Sequence, residues 1–129
     1  MAENQLVALS KAFAVNVIDL CEKTRERKKV SAILNQLLRS GTSIGANIHE
    51  ANYASSKADF INKFQIALKE CYETDYWLDV FHAANIITDE EYNDMFAQCS
   101  KIRKLLIASI TTAKNNANQT ESFEKTELL

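Results

Sequence analysis

A chain of 129 residues, nearly half apolar and a quarter charged, is long enough for one domain with a sizeable core. With no proline and only two glycines, Gly41 and Gly45, it excludes a fold built on tight turns and points to long helices. The formal charge of −2 resides in residues 115–129, where Glu121, Glu124 and Glu127 stand against Lys125; residues 1–114 are neutral and lack the basic excess usual in nucleic-acid binders.

The first predicted helix spans residues 3–27. Leu6, Leu9, Phe13, Val17 and Leu20 recur at helical spacing, with Val7, Ala14, Ile18 and Cys21 alongside. It ends in a basic run, Lys23, Arg25, Arg27, Lys28 and Lys29, which complements a helix C-terminus or meets an anion. Ser31 is a plausible N-cap for a second helix ending near Tyr53. Ser56 with Asp59 forms a capping box that opens a third helix over residues 57–85, closed by Asn85 in a left-handed conformation. One side of this helix carries Phe60, Phe64, Ala67, Leu68, Cys71 and Leu78. The other carries Ile66, Trp77, Val80 and Ala84, an apolar face left over for a second subunit. Thr88 with Glu91 caps a fourth helix, whose stripe of Met95, Cys99, Ile102, Leu106, Ile110 and Ala113 fades at Lys114. Residues 115–129 read as a polar, mostly disordered tail in which Phe123, Leu128 and Leu129 form a short docking segment at most. Four helices with short links predict an all-α, antiparallel up-down-up-down four-helix bundle over residues 1–114.

Within the second helix a polar row, Gln36, Arg39, Ser43, Asn47 and Glu50, runs beside an apolar row of Ile33, Leu37, Ile44, Ile48 and Ala51. Gly41 and Gly45 on this helix allow another backbone to come close. Glu73 on the third helix lies among Ile66, Trp77 and Val80, where a carboxylate needs a partner. Arg39 is the natural one, with Ser43 or Asn47 completing the hydrogen bonds. A structural polar network of Gln36, Arg39, Ser43, Asn47, Glu50 and Glu73 is therefore expected.

The run from Ser43 to Ala51, S-I-G-A-N-I-H-E-A, with Gln36 and Arg39 upstream, resembles the hallmark of a bacterial family of four-helix-bundle proteins. The family takes its name from open reading frames within 23S ribosomal RNA intervening sequences. The runs Asp59 to Glu70 and Glu73 to Leu78 are similar to it as well. Many members carry proline where this chain has Gly45, and glycine where it has Ala51. The resemblance implies a bundle assembled as a homopentamer, with no established enzymatic activity. A distant relative, the accessory variability protein of diversity-generating retroelements, binds nucleic acid and a reverse transcriptase through a basic surface.

Catalytic chemistry finds little support. Carboxylate-bridged metal pairs in bundles need two Glu-x-x-His motifs, and the chain offers only Asp79-x-x-His82, with Asp75 on the same face. Cys21, Cys71 and Cys99 show no metal-finger spacing and sit in apolar stripes, as buried thiols of a reducing cytoplasm would. No phosphate-binding glycine loop or nucleophile elbow is present. No apolar run approaches the ~20 residues of a membrane span, and no basic cluster precedes one as in a signal peptide. The reading is a cytoplasmic, non-enzymatic, pentameric scaffold or accessory protein without cofactor or metal, its partners being further copies of itself and an additional protein. Its subunits would meet through Ile66, Trp77, Val80 and Ala84. The alternative is an accessory factor for RNA or DNA. It would use Lys23, Arg25, Arg27, Lys28 and Lys29 with Lys101, Arg103 and Lys104, a local patch multiplied by symmetry.

Overall fold

The computed structural model describes the backbone of residues 2–28 and 31–128 and the side chains of residues 4–27 and 32–118. It contains four helices and, among the described residues, no strand: α1 (Ala2–Lys28), α2 (Ser31–Ala51), α3 (Lys57–Ala83) and α4 (Asp89–Leu128). Each helix packs against two others, α1 on α2 and α4, α3 on α2 and α4. The partners run antiparallel at every seam. Along α3 and α4, for example, Cys71 meets Cys99 and His82 meets Asp89, one number rising as the other falls.

The core is the sum of the four helical stripes. Leu6, Phe13, Val17 and Leu20 of α1 face Leu34, Leu37, Ile44 and Ile48 of α2, and these meet Phe64, Cys71, Leu78 and Phe81 of α3 and the α4 stripe from Met95 to Ile110. Nearly all of these are fully buried, and burying one such side chain stabilises by about 1.5–3 kcal/mol. Four buried hydroxyls, Ser10, Thr24, Ser40 and Thr74, interrupt the apolar interior. Those of Ser10 and Ser40 donate to carbonyls one turn back on their own helices, at 3.3 Å each, which is how a hydroxyl is tolerated there.

The helix boundaries follow local chemistry. Ser56 Oγ accepts from the Asp59 amide (3.0 Å) at the start of α3, and the Asp59 carboxylate accepts from Ser55 N (3.2 Å). Thr88 and Glu91 form a reciprocal box at the start of α4, with distances of 3.1 and 2.9 Å. Asn85 ends the α3–α4 turn with φ of 57°, a conformation asparagine tolerates better than most residues. The Phe81 carbonyl accepts from Ile86 N at 2.8 Å and so closes the turn. The side chain of Ser31, the expected N-cap of α2, lies outside the described residues, as do Lys29 and the side chain of Lys28.

The fourth helix outruns the bundle. The α3–α4 register brings the first residue of α3 level with residue ~114 of α4, and the Asn16–Gln98 and Arg27–Glu91 contacts bring the start of α1 to the same height. The apolar stripe stops there, at Ala113. Yet α4 continues as helix to Leu128, through the segment whose composition reads as a disordered tail. Ala117, Gln119, Glu121, Glu124 and Lys125 are adequate helix formers and no glycine or proline intervenes, so nothing local stops the propagation of a helix already nucleated below.

Candidate functional site

The polar row of α2 meets α3 along one seam. Ser40 accepts a hydrogen bond from Thr74 Oγ1 (3.1 Å) inside the core, joining the two helices where neither hydroxyl sees water. One turn outward, Arg39 reaches Glu70 at 3.4 Å and Glu73 at closer range. The Trp77 indole N–H also donates to Glu73 (3.5 Å). The hydrogen bond from Arg39 holds the Glu73 carboxyl below its usual range, against the opposing effect of desolvation. Farther along, Glu50 pairs with Lys63 at 3.4 Å. Of the six residues expected to form one network, Arg39 and Glu73 are joined directly, and Glu50 is tied to α3 separately. Ser43 and Asn47 instead hydrogen-bond carbonyls of their own helix, Arg39 O at 2.6 Å and Ser43 O at 2.8 Å. Gln36 is exposed and makes no such contact among the described residues. The network is also wetter than a buried carboxylate would require: Arg39 is half exposed and Glu73 about one third.

A drier polar cluster lies on the α3–α4 seam, where the sequence reading did not place one. Asp75 pairs with Arg103, both more than four-fifths buried. Arg103 also donates to Ser100 Oγ (3.1 Å), and its guanidinium lies 5.8 Å from the centre of the Tyr72 ring. Burial pushes the Asp75 carboxyl above its usual range, although the Cys99 thiol and Arg103 oppose the shift. The signal available was the spacing of Asp75 and Arg103 on the edges of their core stripes; the register between the helices was needed to see that they meet.

The histidine and the acids once weighed as metal ligands are spoken for. His82 Nε2 sits 2.6 Å from Asp89 Oδ1, its ring stacks on Tyr92 at 4.4 Å, and the Tyr92 hydroxyl donates to Asp79. Among the described residues, no three of His, Cys, Asp and Glu converge as a metal would need. The cysteines are free and buried. Burial pushes the Cys21 thiol up to about 11, and hydrogen bonding to Cys71 together with burial pushes Cys99 strongly upward. Thiolates, not thiols, react. A chromogenic disulfide reagent should therefore modify none of the three in native protein and all three in urea, at a rate set by unfolding; prompt reaction of one thiol would show a breach in this core.

Four of the described basic candidates, Lys23, Arg25, Arg27 and Arg103, have acidic or polar partners. Arg27 pairs with Glu91 at 3.1 Å, stapling the end of α1 to the start of α4, and Lys23 pairs with Asp19 at 3.1 Å. Arg25 donates to Asn35 at 3.2 Å, and Arg103 is turned inward to Asp75. Lys101 and Lys104 are exposed on α4. The helix register sets Glu91 opposite Arg27 and Asp75 opposite Arg103, and leaves the exposed cations of Lys101 and Lys104 on α4.

The α3 face expected to meet a second subunit is partly covered by the bundle itself. Trp77 and Val80 lean half-buried against the core, Ile66 is half-buried and Ala84 exposed. The large apolar side chains that α3 leaves in solvent are Tyr72 and Tyr76, 53% and 58% exposed, with Tyr76 edge-on to Trp77 at 5.1 Å. Their i, i+4 spacing off the core stripe was legible in the sequence. A second feature is a groove of about 230 Å³ between α1 and α2, walled by Val7, Lys11 and Ala14 on one side and Thr42, Ala46 and His49 on the other. Its floor is the contact of Gly45 with Ser10, where a Cβ would lie 3.3 Å from the Ser10 carbonyl oxygen. This geometry offers surfaces for docking.

A family model described as 23S rRNA-intervening sequence protein matches residues 2–108. The chain is similar to a protein of unknown function from the S23 ribosomal protein family of Bacteroides thetaiotaomicron VPI-5482, known from a crystal structure. The two are 45% identical with a TM-score of 0.84, over 86% of this chain and 99% of that one. No curated protein matches.

Proposed function

The chain belongs to the 23S rRNA-intervening sequence protein family, and from that premise we propose that it is a non-enzymatic scaffold or accessory protein of the cytoplasm, working as a homo-oligomer. The aromatic patch on α3 carries this reading. Tyr72 and Tyr76 stand more than half exposed beside the half-buried Trp77. Aromatic side chains are the type most enriched in interface cores, and this group is too large to leave in water at no cost. A neighbour packed on it would also cover the Arg39–Glu73 pair, which borders Trp77. The number of subunits, five, follows the family resemblance.

Size-exclusion chromatography with light scattering, read at 260 and 280 nm, tests the proposal. A particle of about five subunits free of nucleic acid supports it, and Tyr76→Arg should break that particle into folded monomers. A monomeric wild type overturns it. Nucleic acid that co-elutes and is stripped by high salt would favour the accessory factor for RNA or DNA, with exposed Lys101 and Lys104 as the first residues to change.

Glu73→Gln separates the two roles of the polar seam. In the isolated subunit a half-exposed pair contributes about 0–1 kcal/mol. The variant should therefore keep its helix content and melt within a few degrees of wild type. Its dissociation concentration should rise about tenfold, the ~1.4 kcal/mol expected for a charged pair desolvated by a neighbour. Unchanged assembly would remove the Arg39–Glu73 pair from the interface.

A further inference from the structure

Among the described residues, large apolar side chains stand exposed in pairs at two places. Val15 and Ile18 on α1 are 58% and 45% exposed, and Tyr72 and Tyr76 on α3 form the aromatic patch. The others, Ile33, Tyr53 and Ile107, stand singly. We propose that the two pairs meet: the tyrosines of one copy pack on Val15 and Ile18 of the next, and the contact repeats around a closed ring. The inference rests on the chain being a homo-oligomer and names the surface that receives the tyrosines.

Helical period puts both pairs on the outside. Val15 is two residues from Val17, which is fully buried, so it lies about 200° round the helix and faces away from the core. Tyr76 stands in the same relation to buried Thr74 and Leu78. Ile18 lies one turn from Ala14, a wall of the α1–α2 groove, so the α1 face runs on into that hollow of about 230 Å³, which has room for an aromatic ring.

The two pairs also lie at one height along the bundle. Val17 packs where Gly41 has no side chain, and the neighbouring Ser40 accepts a hydrogen bond from Thr74. Val17, Gly41 and Thr74 thus share a layer. Val15 and Ile18 bracket Val17, and Tyr72 and Tyr76 bracket Thr74. The two helices run parallel, because each is antiparallel to the α2 between them. Val17 meets Gly41 and Ser10 meets Gly45, while Arg39 meets Glu73 and Glu50 meets Lys63.

Symmetry selects the occupant. Each of α1 and α3 packs on α2 and α4 and not on the other, so the pairs sit on diagonal helices and cannot touch within one chain. A two-fold dimer through the tyrosines would pair that patch with itself and leave Val15 and Ile18 of both copies in water. Rotation about an axis along the bundle moves a copy sideways without lifting it. It therefore brings unlike patches of equal height together, and every copy in the ring buries both. Val and Ile are stiff at χ1, so they offer the flat tyrosine rings a pre-set apolar surface.

The test uses full-length protein with the photocrosslinking residue p-benzoylphenylalanine in place of Tyr76 and, in a separate preparation, in place of the exposed Lys69, one turn before Tyr72. After irradiation, crosslinked dimers are cut from a denaturing gel and mapped by mass spectrometry. Both probes should attach to residues 8–22 of the other copy. Val15→Asp combined with Ile18→Asp should cut the yield at least fivefold with unchanged circular dichroism, since both side chains are exposed in the subunit. An undiminished yield in that variant overturns the contact. So do dimers joined through α3 of both copies or through any other surface, and an oligomer that crosslinks from neither position. Light scattering on the same samples keeps the two ideas apart: an oligomer with the wrong crosslinks loses only this contact, whereas a monomeric wild type loses the scaffold reading as well.

Discussion

Arg103→Leu should lower the free energy of unfolding by about 3 kcal/mol at pH 7, the usual scale for leaving one member of a buried ion pair behind. Asp75 would then face the α3–α4 seam with its carboxylate more than four-fifths buried. One oxygen of that carboxylate, Oδ1, already has no hydrogen-bond partner among the described residues. The effect should depend on pH. Burial raises the folded Asp75 above the ordinary carboxylate range even in wild type. The native state therefore binds more protons than the unfolded chain between those two values, and this site loses stability as pH rises through that window. Removing the guanidinium raises the folded value further and widens the window. Below the ordinary aspartate range the group is protonated in both states and the penalty disappears. Urea unfolding followed by circular dichroism at pH 7 and near pH 3.5 checks this. The loss should shrink at least by half at the lower pH, and Asp75→Asn in the same background should recover most of it at pH 7. An equal loss at both pH values would assign the damage to lost packing of Arg103 over Tyr72.

Gly41→Leu should cost about as much, roughly 3 kcal/mol, for a reason of shape alone. A Cβ on Gly41 would lie 2.8 Å from Val17 Cγ2 and 3.0 Å from Cγ1. Val17 is fully buried and β-branched, so it has no free rotamer into which to swing. Gly41→Ala adds only that Cβ. Its clash, about 2 kcal/mol, is partly offset by the ~1 kcal/mol that alanine gains over glycine inside a helix, leaving a net loss near 1 kcal/mol. Val17→Ala in the Gly41→Ala background should be less destabilising than Val17→Ala alone, because the new methyl occupies part of the space vacated. Thermal and urea melts of the two singles and the double form a cycle that measures this coupling. Additivity would mean that the α1–α2 spacing simply relaxes. At Gly45 the contact is looser, 3.3 Å to a backbone oxygen, so Gly45→Ala should change stability by no more than ~0.5 kcal/mol.

These two sites also mark how far the sequence reading reaches. The four stripes, the capping boxes at Ser56 and Thr88, and the turn at Asn85 were legible because each depends on residues within about four positions of one another. That Gly41 permits close approach was also legible; that Val17 is what approaches it was not. Likewise, the pairing of Arg39 with Glu73 could be named from faces, since both lie on rows flanking apolar stripes. The Asp75–Arg103 pair could not, since Arg103 reads equally well as a surface cation until the register of α3 against α4 is known.

What the sequence by itself determined is therefore the all-α class, the number of helices and where they start, because hydrophobic period and cap chemistry are local quantities. Only the tertiary structure decided which charges neutralise each other and which apolar residues remain outside. It set Glu91 opposite Arg27, turned Arg103 inward, leaned Trp77 on the core and left Tyr72 and Tyr76 in solvent. It also carried α4 on as helix to Leu128, beyond the point near Lys114 where its apolar stripe fades. The physical reason is the same throughout. A helix presents all its faces to the reader of a sequence, and only packing against specific neighbours, in one register, determines which face meets water.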